Sequence, residues 1–123
     1  MRRLLLAAVL LLGACGSQLP PPPKTFRQDL VEAGVTYSTV AGLATAYAEQ
    51  QRCGTPNAKP APFCADAATV VTLGRANKAA LATMQIAQAL DGVNNPDAQA
   101  AALAAVQAAL SDFSAMTSAA KGK

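Results

Sequence analysis

The chain has 123 residues, enough for one domain, and roughly a quarter of them are alanine. Aromatic residues make up only 4% of the chain, so the core is expected to be lean, and small domains of this kind often depend on an additional constraint. The formal net charge is +3, with no basic run interleaved with aromatic residues, which argues against a nucleic-acid-binding protein.

The first residues have the layout of an export signal. A positively charged start, Met1-Arg2-Arg3, precedes an unbroken apolar run over residues 4–12, and two small residues follow. The apolar run is too short to cross the hydrocarbon core of a membrane, which requires about 20 residues. We therefore expect residues 1–14 to be a signal peptide that is removed.

The four residues Leu12-Gly13-Ala14-Cys15 resemble the lipobox of bacterial lipoprotein precursors. The resemblance implies that the Cys15 sulfur receives a diacylglyceryl group and that cleavage falls between Ala14 and Cys15. In many bacteria the new amino group is also acylated, for example with palmitate. Two or more acyl chains anchor a protein stably to a membrane. The alternatives are an ordinary signal peptide cleaved nearby, or an uncleaved anchor, with Cys15 incidental.

The residue after the cysteine bears on the destination of the lipoprotein. Gram-negative lipoproteins with aspartate there are commonly retained in the inner membrane, whereas this chain has Gly16. The resemblance therefore implies a lipid-anchored protein of the cell envelope, on the periplasmic face of the outer membrane.

Residues 15–24 are expected to form a tether that starts at the lipidated cysteine. Pro20 to Pro23 favour a stiff polyproline II segment, which extends about 3.1 Å per residue. We interpret this segment as a spacer between the membrane and the domain. The alternative is a ligand for a proline-binding groove.

Three helices are predicted after the tether, from about Thr25 to Arg52, from about Asp66 to Leu90 and from about Pro96 to Ser118. Each begins at a residue suited to capping, which is Thr25, Asp66 or Asn95. Apolar residues recur at spacings of three and four in each segment, as in helices with one buried face. The predicted core stripes are Phe26, Leu30, Ala33, Tyr37, Val40, Ala44 and Tyr47 in the first helix; Ala67, Val70, Gly74, Asn77, Leu81 and Met84, widened by Leu73, Ala80 and Ala87, in the second; and Leu103, Val106, Leu110 and Phe113 in the third.

Three positions raise specific questions about packing. Gly34 and Gly42 lie inside the first helix, where each costs about 1 kcal/mol of helix propensity relative to alanine, and close packing of another helix is the simplest explanation. Asn77 lies on or near the apolar stripe of the second helix. It is either a buried polar residue that fixes the register or, as we prefer, a solvated residue at the edge of the stripe.

Cys53 and Cys64 remain as a pair once Cys15 is assigned to the lipid. An exported chain reaches an oxidising compartment, so we expect a structural disulfide between them. The intervening segment contains several prolines and a glycine and is therefore a loop. A redox site and a metal site are the alternatives, but ten residues separate the cysteines and the chain has no histidine.

The predicted fold class is all-α, a small antiparallel three-helix bundle over residues 25–118 that is followed by a frayed tail over residues 119–123. The short connection between the second and third helices favours antiparallel neighbours. The alternative is a long helical hairpin that buries its apolar faces by forming an oligomer.

We expect no catalytic residues, no metal site and no cofactor. Histidine, the commonest general base and metal ligand, is absent, and no nucleophile motif or phosphate-binding loop is present. Asp29 and Glu32 share a helix face where a cation could bind, although solvated surface charge is the simpler interpretation. Arg75 and Lys78 likewise lie one turn apart on what we interpret as a solvated face.

The resulting functional hypothesis is a non-catalytic envelope lipoprotein whose helical domain is an interaction or structural module. Its expected partners are the membrane, through the lipid, and another envelope protein or a second copy, with no nucleic acid. One alternative is a phage- or prophage-derived lipoprotein that acts in lysis or in excluding other phages. Another is binding of a small apolar ligand inside the bundle, which an alanine-rich core makes less favourable.

Overall fold

The computed structural model describes residues 21–60 and 63–122, and this part of the chain is a bundle of three helices. The helices are α1 (Phe26–Ala48), α2 (Ala67–Ala89) and α3 (Pro96–Lys121). Within the described residues there is no β-strand, only a single pair of bridging residues in the loop between α1 and α2. The predicted all-α fold class is therefore confirmed.

Each helix begins where its capping residue was predicted. The Thr25 hydroxyl accepts a hydrogen bond from the backbone N–H of Gln28, and the Gln28 side chain accepts one from the backbone N–H of Thr25. Asp66 and Asn95 each accept a hydrogen bond from the backbone N–H three residues further on. These contacts satisfy N–H groups that have no partner inside a helix, with Pro96 well suited to the first turn of α3.

The first helix ends four residues before the predicted end at Arg52. The backbone N–H of Cys53 donates to the carbonyl of Ala65, and the backbone N–H of Ala65 donates to the carbonyl of Gln51. Backbone groups that pair across the loop in this way are not available to continue the helix. The prediction placed the end too late because the residues themselves carry no strong helix-breaking signal before Gly54.

The third helix continues to Lys121, three residues beyond its predicted end. Ala120 is almost completely buried, and the buried Thr117 hydroxyl donates a hydrogen bond to the carbonyl of Phe113. The first four residues of the predicted tail over 119–123 are therefore not frayed but form the last turn of α3 and its cap, Gly122. Residue 123 lies outside the described part of the chain.

The helices run antiparallel in chain order. At one end of the bundle Arg27 forms an ion pair with Asp91, which joins the start of α1 to the end of α2, with 2.8 Å between the charged groups. At the other end the backbone N–H of Asp66 donates to the Tyr47 hydroxyl. We call the first end, which carries residues 21–24, the tether end. The second end, which carries residues 49–60, residues 63–66 and the end of α3, is the loop end.

The core is lean, as the composition predicts. Phe113 and Val106 are its largest fully buried apolar side chains, and alanines occupy many of the remaining positions. The predicted stripe of α1 is confirmed, since all of its residues are buried or packed against the core. In α3 the core contains three of the four predicted residues, Val106, Leu110 and Phe113.

The predicted stripe of α2 is displaced around the helix from the observed one. The buried residues are Leu73, Ala80, Met84 and Ala87, most of which we had placed only at the margin of the stripe. Leu81, near the centre of the predicted stripe, is 41% exposed. Leu81 remains exposed because α3 packs against the neighbouring row of α2 residues.

Asn77 lies at the edge of the core but is not solvated as we had expected. The residue is half-buried in a groove between α1 and α2, and its Oδ1 atom is buried without a hydrogen-bond donor among the described residues. An unsatisfied buried acceptor is unfavourable, so Asn77 contributes little stability where it lies.

Close packing requires neither of the two glycines of α1. A Cβ atom at Gly34 would make ordinary van der Waals contact with the Met84 side chain, at 3.8 Å, and a Cβ atom at Gly42 would meet no atom within 4 Å. We therefore expect Gly42→Ala to raise the free energy of unfolding by about 1 kcal/mol, because alanine favours the helix. Urea unfolding followed by circular dichroism measures this change.

The same substitution at another glycine should change the free energy of unfolding in the opposite direction. Gly92 ends the turn after α2 with a φ of +84°, a conformation that alanine rarely adopts. Gly92→Ala should therefore lower the stability. A destabilising Gly42→Ala variant would instead indicate that this face of α1 packs against something outside the bundle.

Among the described helices, α3 is long and apolar enough to cross a membrane when judged by length and composition. In the bundle it packs against both α1 and α2 and carries Asp97 and Asp112. It is thus the helix around which the other two are arranged.

Candidate functional site

The residues that the sequence assigns to lipidation lie outside the described part of the chain. This applies to the signal peptide, to the lipobox Leu12-Gly13-Ala14-Cys15 and to the tether as far as residue 20. The described remainder of the tether, residues 21–24, is exposed and leads directly into α1. Residues 21–24 therefore join the bundle at the start of α1.

Lys24 connects the root of the tether to α1. Its ammonium group donates a hydrogen bond to the Glu32 carboxylate, two turns along the helix. This hydrogen bond, together with the attraction between the two charges, raises the pKa of Lys24. Because both side chains are exposed, the pair contributes little to the stability of the fold.

Cys53 and Cys64 form the predicted disulfide at the loop end. Their Cα atoms lie 5.0 Å apart, within the usual range for a disulfide. Backbone hydrogen bonds join residues 51 and 53 to Ala65 beside the bridge, and Cys64 is buried. The bridge thus closes the loop and holds Phe63, the residue next to Cys64, at a defined position beside the bundle.

Tyr47 fastens the same loop to the bundle. It is buried near the end of α1, and its hydroxyl oxygen accepts a hydrogen bond of 2.9 Å from the backbone N–H of Asp66, at the start of α2. One side chain therefore positions both the end of α1 and the start of α2.

We expect Tyr47→Phe to lower the free energy of unfolding by about 1 kcal/mol, because the Asp66 N–H then loses its partner. Tyr37→Phe is the matched control, since the Tyr37 hydroxyl makes no hydrogen bond within the described residues and its ring packs on Phe113. The control should stay within about 0.5 kcal/mol of the parent chain in urea unfolding. Equal effects of the two substitutions would contradict the assigned role of Tyr47.

A surface pocket of about 320 Å³ opens at the loop end. We call it the Phe63 pocket, and it is lined by Leu43, Ala46, Tyr47, Gln50, Phe63 and Lys121. Phe63 is 65% exposed and Leu43 is 42% exposed, although both side chains are large and apolar. Exposed aromatic and aliphatic side chains that border one pocket are typical of a surface that contacts a partner.

In the described part of the chain, the ion pairs lie at one end of the bundle and an unpaired lysine lies at the other. The two ion pairs found among residues 21–60 and 63–122, Lys24–Glu32 and Arg27–Asp91, both lie at the tether end. Lys121 lines the Phe63 pocket, and no carboxylate lines the pocket with it. Within the described residues Lys121 has no ion-pair partner, and the negative end of the α3 helix dipole is the only opposite charge beside it that these residues supply.

Comparison of the chain with protein-family models, curated protein sequences and solved structures gives no match. The fold and the surface described above are therefore the basis for any statement about function.

Asp29 and Glu32 do lie near one another, in a groove of about 420 Å³ between α1 and α3. Glu32 already has a cationic partner in Lys24, and the rest of the groove is lined largely by hydroxyl and amide side chains. In the described part of the chain no group of three or more potential metal ligands comes together. Lys24 is thus a cation that lies beside this pair of carboxylates.

The Phe63 pocket was not predicted from the sequence. Residues between Cys53 and Cys64 were predicted only to form a loop. The available signal was an aromatic residue beside a cysteine, within a segment otherwise rich in proline and small or polar residues. Only the folded loop shows that this ring is exposed.

Proposed function

We propose that the mature chain is a lipid-anchored, non-catalytic protein of the bacterial envelope whose bundle presents the Phe63 pocket to a partner protein. The lipobox resemblance at residues 12–15 supports the anchor and, with Gly16, a place on the periplasmic face of the outer membrane. The observation that carries the interaction role is the exposed Phe63 at the mouth of a pocket, on a loop held by a disulfide.

The positions of the tether and the pocket support this arrangement. The tether enters at the tether end, whereas the pocket lies at the loop end. The pocket residues Leu43 to Tyr47 lie about 25–32 Å along α1 from Phe26, at 1.5 Å per residue. A bundle anchored in this way would carry the pocket away from the lipid surface, where a second protein could reach it.

The chemistry of the pocket supports binding more than catalysis. Its walls are mostly apolar, and its one phenol group, on Tyr47, is engaged by the Asp66 backbone. A pocket with apolar walls and few polar groups is suited to recognition.

Photo-cross-linking in living cells tests this proposal. The photoreactive analogue p-benzoyl-phenylalanine replaces Phe63 in one variant and Ile86 in a matched variant, because Ile86 is 62% exposed but lies on α2 towards the tether end. We expect a discrete protein adduct from position 63 and none from position 86. The adduct should be lost in a Cys15→Ser background, in which the chain is not anchored.

Three results would contradict the proposal. Equal adducts from both positions would indicate non-specific contact, and the absence of any adduct at position 63 in anchored protein would remove the interaction role. An adduct that persists unchanged in Cys15→Ser cells would show that the anchor is not needed to meet the partner.

A further inference from the structure

We infer that the Phe63 pocket binds a peptide segment that has an apolar side chain next to a carboxylate. This inference rests on the proposed function, since it names the chemistry of the partner at the same pocket. Three features of the lining carry it: the apolar walls, the unpaired charge of Lys121 and an unsatisfied acceptor on Gln50.

The size and walls of the pocket fit one apolar side chain of a peptide. Its volume of about 320 Å³ lies at the lower limit for ligand sites, which span about 300–1,000 Å³. Phe63, Leu43 and Ala46 supply apolar surface that is exposed to solvent at the mouth. A leucine-sized side chain placed there would remove apolar surface from water on both partners.

The charge of the pocket selects a negatively charged neighbour for that side chain. Lys121 lines the pocket without an ion-pair partner among the described residues, and the pocket contains no carboxylate of its own. A ligand that carries a carboxylate beside its apolar group therefore matches the pocket electrostatically, whereas a cationic ligand would be repelled.

Gln50 favours a peptide over a fatty acid, which would also combine an apolar part with a carboxylate. The Gln50 Oε1 atom is buried and accepts no hydrogen bond within the described part of the chain. The terminal torsion of glutamine is soft, so a ligand N–H group can draw this oxygen towards the pocket and satisfy it. A peptide backbone offers N–H donors, and an acyl chain offers none.

Tryptophan fluorescence tests the inference because the chain contains no tryptophan. Phe63→Trp places a single reporter at the pocket, and Ile86→Trp is the matched reporter of similar exposure outside it. The full chain is reconstituted in phosphatidylcholine nanodiscs and titrated with the peptide acetyl-Gly-Leu-Asp-Gly-amide. Matched peptides carry Asn in place of Asp or Ala in place of Leu, and decanoate serves as the fatty-acid probe.

We expect a saturable blue shift from the reporter at position 63 and none from the reporter at position 86. The Asn peptide should bind about threefold to fivefold more weakly, as for the loss of one exposed ion pair. The Ala peptide should bind about tenfold more weakly because it buries less apolar surface. In the Lys121→Gln variant, the difference between the Asp and Asn peptides should disappear, which assigns the carboxylate to Lys121.

Four results would overturn the inference: no shift with the Leu-Asp peptide, equal affinity for the Asp and Asn peptides in the Phe63→Trp chain, tighter binding of decanoate than of the peptide, or a shift that depends on protein concentration alone. The last would assign the pocket to a second copy of the chain. If any of these occurs while Phe63 still cross-links specifically to a protein in cells, the proposed function stands and only the assigned partner chemistry is wrong.

Discussion

Replacing Phe113 by alanine is expected to lower the free energy of unfolding by about 3–5 kcal/mol. Phe113 is completely buried, and its ring packs against Tyr37 with 6.5 Å between the ring centres. The core around it contains many alanines, which cannot extend to fill the cavity that the substitution leaves. Since domains of this size are stable by only about 5–15 kcal/mol, Phe113→Ala should remove a large fraction of the stability of the bundle.

Urea unfolding followed by circular dichroism measures this effect, and Phe63→Ala is the matched control. Both substitutions remove a phenylalanine ring, but Phe63 is exposed. The control should therefore remain within about 0.5 kcal/mol of the parent chain. If the two variants lost similar amounts of stability, Phe63 would be part of the core and the Phe63 pocket would not be a surface feature.

Removal of the disulfide is expected to lower the free energy of unfolding by about 3 kcal/mol. The bridge joins residues 11 positions apart and thus restricts a short loop of the unfolded chain, which is where most of its stabilising effect is thought to arise. Cys53→Ala combined with Cys64→Ala is the appropriate variant, because alanine places no polar group at the buried position 64.

A reducing agent provides the internal control for this prediction. It should destabilise the parent chain by the same amount and leave the double variant unchanged. The double variant should also lose the cross-link at position 63, since the bridge holds Phe63 beside the bundle. Equal stability of the oxidised and reduced parent chains would contradict a structural role for the bridge.

The local features of the fold could be predicted from the sequence because they depend on residues close together in the chain. The cap at Thr25 needs only Gln28, and the cap at Asn95 needs only the turn that follows it. The α1 stripe could be predicted for a similar reason, since it contains two tyrosines and a phenylalanine that mark one face clearly.

The α2 stripe was misplaced because its candidate rows are nearly equivalent in composition. Leu81 and Leu73 are both leucines flanked by small residues, and periodicity alone does not state which row α3 will cover. The observed choice depends on contacts between helices that are distant in sequence, and α2 packs most extensively against α3. Alanine-rich helices are especially ambiguous in this respect because nearly every face is compatible with burial.

The Phe63 pocket could not be predicted because it joins residues from three separate parts of the chain. Leu43 comes from α1, Gln50 and Phe63 come from the segment between α1 and α2, and Lys121 comes from the end of α3. The Lys121 contribution also depends on the last turn of α3, which the sequence analysis had assigned to a frayed tail. The disulfide, in contrast, could be predicted, since only two cysteines remained once Cys15 was assigned to the lipid.

The anchor at Cys15 is the central claim of this account, because the bundle and its pocket act at the envelope only if the chain is held there. Intact-mass and peptide-level mass spectrometry of the protein extracted from membranes tests it most directly. We predict a mature chain that begins at Cys15, with a diacylglyceryl group on its sulfur. A chain that retains residues 1–14, or one that begins at Cys15 with an unmodified thiol, would contradict the account.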